Sequence, residues 1–70
     1  MAEFFRIIPE GTDRPAAEVW TSREALDKAM HQFAALVLDK RQPTVMREAA
    51  KRLVRGRLQT VESVEWVDVQ

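Results

Sequence analysis

Apolar residues recur along the chain with two different spacings, one typical of strands and one typical of helices. Residues 2–9 are rich in Phe and Ile and end at a proline, which predicts a strand. Residues 10–15 have the composition of a loop, and residues 16–20 are predicted to form a short second strand. Residues 61–69, rich in valine, predict the last strand.

Two helices are predicted between the second and the last strand. The sequence Thr21-Ser22-Arg23-Glu24 has capping-box spacing, so the first helix is expected to have Thr21 as its N-cap and to end near residue 38. The second helix is expected to start with Pro43 in its first turn and to close at Gly56. The 3.6-residue period assigns the first helix an inner face of Leu26, Ala29, Met30, Phe33 and Val37. The inner face predicted for the second helix is Val45, Met46, Ala49 and Leu53.

The predicted element order is β-β-α-α-β, within a single domain of residues 1–70. The simplest unknotted arrangement is an α+β fold, in which a three-stranded antiparallel sheet of order 2-1-3 carries a two-helix hairpin on one face. A chain of this size buries only about 60% of the surface that its unfolded form exposes. Because it has no cysteine, disulfides and thiolate metal sites cannot add stability. We expect tight packing, self-association or a partner to do so.

Both outer strands are more apolar than a sheet with one solvated face requires. Two helices can cover only one face of a three-stranded sheet. Either edge twist and the long loop hide the remaining apolar residues, or these residues form a homodimer face or a partner-docking face. The candidate residues for this face are Phe4, Ile8, Val67 and Val69.

The net charge of zero conceals a strong separation of charge along the chain. Seven of the eleven Lys and Arg residues lie between residues 40 and 57, where only Glu48 opposes them, so this segment carries +6 and the remainder −6. Arg47, Lys51 and Arg55 share one ridge of the second helix. This ridge is a solvated face, a docking site for an acidic protein surface, or a contact for nucleic-acid phosphates. The candidate partner-binding residues are Lys40, Arg41, Arg47, Lys51, Arg55 and Arg57.

Side chains suited to catalysis are sparse. Ser22 belongs to a predicted helix cap, and Ser63 lies in a predicted strand with no recognisable base beside it. His31, the single histidine, is expected to form only a weak electrostatic pair with Asp27. Two glycines are too few for a phosphate-binding loop. We therefore expect no enzyme activity, no catalytic or metal site and no cofactor.

The leading interpretation is a cytoplasmic protein–protein interaction module, acting as a homodimer or docked on a larger partner with an acidic surface. No membrane contact is expected, because no apolar run approaches the ~18 residues of a membrane span and residues 1–6 lack the apolar region of a signal peptide. A compact, neutral chain of this length also fits an inhibitor encoded by a phage or mobile element, such as an anti-CRISPR protein, that blocks a surface of a larger host complex. No motif establishes that class. The alternative is a small nucleic-acid-binding protein that uses the basic ridge.

Overall fold

The computed structural model describes residues 3–62 and 65–69. Three strands form one antiparallel sheet in the order β1-β2-β3, beside two helices, which confirms the small α+β class with its three-stranded antiparallel sheet. In chain order the elements are β1 (Phe5–Ile8), α1 (Arg23–Leu38), α2 (Thr44–Val54), β2 (Arg57–Glu62) and β3 (Glu65–Asp68). Neither helix in the described part of the chain has the length and apolar character needed to cross a membrane.

The predicted order of elements, β-β-α-α-β with sheet order 2-1-3, is wrong in two places. Residues 16–20 form no strand. They make one bridge, in which Phe5 and Trp20 each donate an N–H to the other's carbonyl at 2.8 Å. Alanine and glutamate in this segment have low β-propensity, which explains why the pairing stays short. The single strand predicted over residues 61–69 is instead divided between β2, which begins at Arg57, and β3, and Ser63 lies outside the described residues.

The core lies between α1 and one face of the sheet. Phe5, Ile7, Trp20 and Leu26 are buried together, and the rings of Trp20 and Phe33 meet edge to face with centroids 6.3 Å apart. The side chains packed around this cluster are Ala29, Met30, Phe33, Leu53 and Leu58. Four of the five residues that the helical period assigned to the inner face of α1 therefore belong to the core.

The first helix begins one residue later than predicted. The Ser22 hydroxyl oxygen accepts from the backbone N–H of Ala25 at 3.1 Å, so Ser22, and not Thr21, is the N-cap. Trp20 is buried and bridged to Phe5, which fixes the path of the chain just before the helix. A reciprocal capping box from Ser22 would need Glu or Gln at position 25, where this chain has alanine.

The C-terminal end of α2 is joined to the sheet by close backbone contacts. Arg55 is the C-cap and Gly56 follows it, which confirms the predicted end, whereas Pro43 is the N-cap and not part of the first turn. The backbone N–H of Glu10 donates to the Arg52 carbonyl at 2.9 Å, which satisfies one of the last four carbonyls of the helix. A Cβ at Gly56 would overlap the carbonyl oxygen of Ile8, so only glycine lets β1 approach this closely.

Candidate interaction surface

The side of α2 that packs inward differs from the predicted one. Ala50 is 2% exposed and Leu53 packs against the core, whereas Val45 is 80% exposed and Met46 is 48% exposed. Ala49 is exposed as well. The predicted inner face is therefore wrong at every position except Leu53, and the helix is rotated by about a quarter turn from the prediction. The small side chain of Ala50 suits a close contact between helices.

Part of the predicted basic ridge is engaged within the helix pair. The Nε of Arg47 donates to the Val37 carbonyl at 3.3 Å, near the end of α1, where carbonyls have no partner within the helix. Arg47 and Lys51 are half-buried and line one shallow groove with Val37. Long basic side chains can place their aliphatic stems on apolar surface and keep their charge in water. Arg55, the third residue of the ridge, is exposed.

The other predicted partner-binding residues lie away from this ridge. The Nε of Arg41 lies 3.1 Å from Oδ1 of Asp39. The hydrogen bond from the Arg41 side chain, and to a smaller extent the one from the Arg41 backbone N–H, lower the pKa of the Asp39 carboxyl below its ordinary value. Arg57 pairs with Asp68 on β3 at 3.4 Å, and Lys40 is exposed in the link between the helices. Of the six predicted partner-binding residues, the structure therefore places only Arg47, Lys51 and Arg55 together, along α2 and its C-cap.

The predicted apolar face of the sheet is divided between its two sides. Val67 lies opposite Thr60, which lies opposite Phe5, so Val67 points to the side that faces the helices. Phe4 and Ile8 alternate with Phe5 and therefore point to the other side. Ile8 is only 3% exposed and offers no docking area. The four candidate residues, Phe4, Ile8, Val67 and Val69, do not form one face.

Polar side chains cover much of the sheet face that points away from the helices. The guanidinium carbon of Arg6 lies 4.2 Å from the centroid of the Trp66 ring, in a cation–π contact. Arg6 also donates to the Gln59 side chain at 2.8 Å, and Gln59 donates to Asp68 at 2.9 Å. Arg6 thus covers part of the Trp66 ring, and a polar network crosses all three strands on this face.

An open apolar groove of about 590 Å³ lies between α2 and the loop after β1. Its apolar lining comes from Pro9, Val45, Ala49 and Leu53, and it is flanked by Glu48 and Arg52. Glu48 and Arg52 are exposed, and neither takes part in an ion pair among the described residues. The exposed residues Val45, Met46, Glu48, Ala49 and Arg52 are called the outer α2 surface below.

Sequence reasoning found the apolar residues of this surface but assigned them to the core. The signal that distinguishes the two is the width of the apolar sector of α2. Val45 and Val54 are the two edges of this apolar sector and lie half a turn apart around the helix axis. The apolar residues between these edges are Met46, Ala49, Ala50 and Leu53. One neighbouring helix covers a narrower stripe than this. Part of the sector is therefore left for another contact.

His31 does not form the predicted side-chain pair with Asp27. Its Nδ1 lies 3.0 Å from the backbone carbonyl of Asp27, while the Asp27 carboxylate pairs with Arg23 at 3.3 Å. The predicted pairing of the two side chains is therefore absent. Within residues 3–62 and 65–69, no three acidic or histidine side chains are grouped so that they could hold a metal ion.

Comparisons of the chain with protein-family models, with curated proteins and with solved structures found no match.

Proposed function

We propose that this chain is a non-enzymatic, cytoplasmic protein–protein interaction module that binds through the outer α2 surface. The observation that carries the proposal is the 80% exposure of Val45 beside exposed Met46 and Ala49. Burying a valine or methionine side chain fully contributes about 1.5–3 kcal/mol, so a partner that covers this surface gains binding energy there. Methionine and arginine, both present on this surface, are enriched at protein–protein interfaces.

A partner with an acidic surface matches the charges next to this apolar centre. Arg52 and Arg55 are exposed and form no ion pair within the described residues. Opposite charge on the partner would speed association and orient the contact. An inhibitor encoded by a phage or mobile element, of the anti-CRISPR kind, would act in this way by occupying a surface of a larger host complex. That class is a prediction from size and charge.

Nucleic-acid binding, the second candidate, has less support. Three of the seven basic residues between positions 40 and 57, Arg41, Arg47 and Arg57, make hydrogen bonds or ion pairs within the chain. Such residues would have to exchange these bonds for phosphate contacts. The net charge is zero, whereas nucleic-acid-binding domains are usually basic.

The proposal is tested by immobilising the wild-type protein and a Val45→Asp variant and incubating each with an extract of the cells that produce it. Val45 is exposed and lies in the first turn of α2, where an acidic side chain is favourable, so the variant is expected to fold. We expect the wild-type protein to retain protein partners that the variant loses.

The matched control is Leu38→Lys, which places a favourable charge at the end of α1 on a side chain that is 79% exposed. This variant should retain the same partners as the wild type. Identical retention by wild type and Val45→Asp, including no retention by either, contradicts the proposal. Retention that disappears after nuclease treatment favours the nucleic-acid alternative.

A further inference from the structure

We infer that the partner at the outer α2 surface is a second copy of this chain, with the two α2 helices antiparallel across a twofold axis. This inference rests on the interaction surface of the proposed function and puts a second copy there in place of a larger acidic partner. It is carried by two independent observations, the large accessible surface of the single chain and the arrangement of charges beside the apolar strip.

The chain exposes more surface than a folded monomer of its mass normally does. Its accessible area is 5501 Å², while the scaling of area with mass gives about 4500 Å² for 8.1 kDa. The radius of gyration is 12.6 Å, against about 11 Å for a compact chain of this length. The excess area is about 1000 Å² by the same scaling, and a standard interface buries about 800 Å² on each partner. One self-contact of standard size would therefore remove most of the excess area.

The charges on the outer α2 surface are complementary to themselves. Glu48 and Arg52 are four residues apart and so lie on one side of the helix. When two antiparallel copies are related by a twofold axis level with residue 50, Glu48 of each copy faces Arg52 of the other. Both ion pairs form at once, and neither residue gives up an ion pair within the described part of its own chain.

The apolar residues fit the same arrangement. Ala49 lies next to the axis, where a small side chain lets two helices approach to about 8 Å. Val45 lies five residues from the axis and level with residue 55 of the second copy, so it meets the last turn of that helix, which includes Leu53. The groove beside Pro9 then receives side chains of the second copy in place of water. Val45, one of the most exposed apolar side chains of the described chain, is thereby buried.

The test measures the mass of the protein in solution by light scattering over a wide range of concentration. We expect the wild type to reach about twice 8.1 kDa as concentration rises, and Val45→Asp to stay at the monomer mass. Glu48→Arg and Arg52→Glu should each weaken self-association by about tenfold or more, because each replaces both attractive pairs with repulsive ones. Circular dichroism of each variant checks that the fold is kept.

Mixing the two charge variants tests the register itself. A Glu48→Arg chain and an Arg52→Glu chain face each other with two attractive pairs, so the mixture should form a heterodimer although neither variant dimerises alone. The double variant E48R/R52E should recover the homodimer. A monomeric wild type overturns the inference, as does a dimer that survives Val45→Asp or a mixture that stays monomeric.

The outcomes separate this inference from the proposed function. A monomeric wild type that captures another protein, and loses it on Val45→Asp, overturns the second copy as occupant and leaves the interaction surface standing. If Val45→Asp changes neither the mass nor the captured proteins, both fail. A wild-type dimer that is lost in Val45→Asp and restored by the charge exchange supports both.

Discussion

Gly56 lies where the backbones of β1 and α2 meet. Its Cα faces the carbonyl oxygens of Ile8 and Arg52, and an added Cβ would also lie 3.0 Å from the Ile7 side chain. Gly11, in contrast, has open space around it and needs glycine because its φ is +85°. The two glycines thus serve different purposes, close approach in one case and backbone conformation in the other.

We predict that Gly56→Ala lowers the free energy of unfolding by about 3 kcal/mol, near the top of the usual range for overpacking. The reason is that the added methyl group meets backbone atoms, which cannot rotate away as side chains can. Gly11→Ala, which adds only backbone strain, should cost about 1 kcal/mol. Urea unfolding of both variants measures these values. A Gly56→Ala protein as stable as the wild type would show that β1 and α2 are farther apart than described.

Arg47 shows why hydrophobicity patterns mislead at the scale of a single residue. A pattern treats every charged residue as exposed, and it therefore assigned Arg47 to a solvent-facing ridge. In the structure the side chain is half-buried and donates to a carbonyl near the end of α1. Val45, which the same pattern assigned to the core, is exposed instead.

Among the elements, the helices were the best predicted and the strand pairing the worst. Helix α1 follows from spacing within one segment, and its apolar face packs as expected. Strand pairing depends on residues far apart, such as Phe5 and Thr60, whose partnership leaves no local pattern. The orientation of α2 was unpredictable for a different reason. Its apolar sector is so wide that several rotations bury a similar number of apolar side chains.

The N-terminus of α1 provides a test at the element scale. We predict that Ser22→Ala lowers the free energy of unfolding by about 1 kcal/mol, because the N–H of Ala25 loses its acceptor. Thr21→Ala, one residue earlier, should change stability by less than about 0.5 kcal/mol. Thermal or urea unfolding followed by circular dichroism compares the two. A larger loss of stability for Thr21→Ala than for Ser22→Ala would instead support the capping box predicted from the sequence.

At the scale of the whole molecule, the candidate surface could be predicted only in part. Sequence alone showed that a 70-residue chain without disulfides needs additional stabilisation and that self-association is one source of it. The sheet, however, was predicted to be the homodimer or docking face because both outer strands looked too apolar. That choice failed because Ile8 and Val67 lie on opposite sides of the sheet, a division set by strand pairing between residues far apart in the chain.

Association at the outer α2 surface should make thermal stability depend on protein concentration. Above the dissociation constant, each tenfold increase in concentration is expected to raise the unfolding temperature of the wild type by about 4–5 °C for a dimer of this size. Val45→Asp should unfold at one temperature throughout. Calorimetry at several concentrations measures both. A wild-type unfolding temperature that stays constant where the protein is dimeric would contradict the coupling of folding and association.

Because Phe5 of β1 pairs with Thr60 of β2, the ribosome makes β1 long before its neighbouring strand. Translation at about 5–20 residues per second separates the synthesis of these partners by roughly 3–11 s. Throughout that delay β1 has no neighbour from β2. Trp20, which bridges to Phe5, and Leu26, which packs with it in the core, are made early enough to shelter it. Until β2 has been made, the native contacts open to Phe5 are those with Trp20 and Leu26.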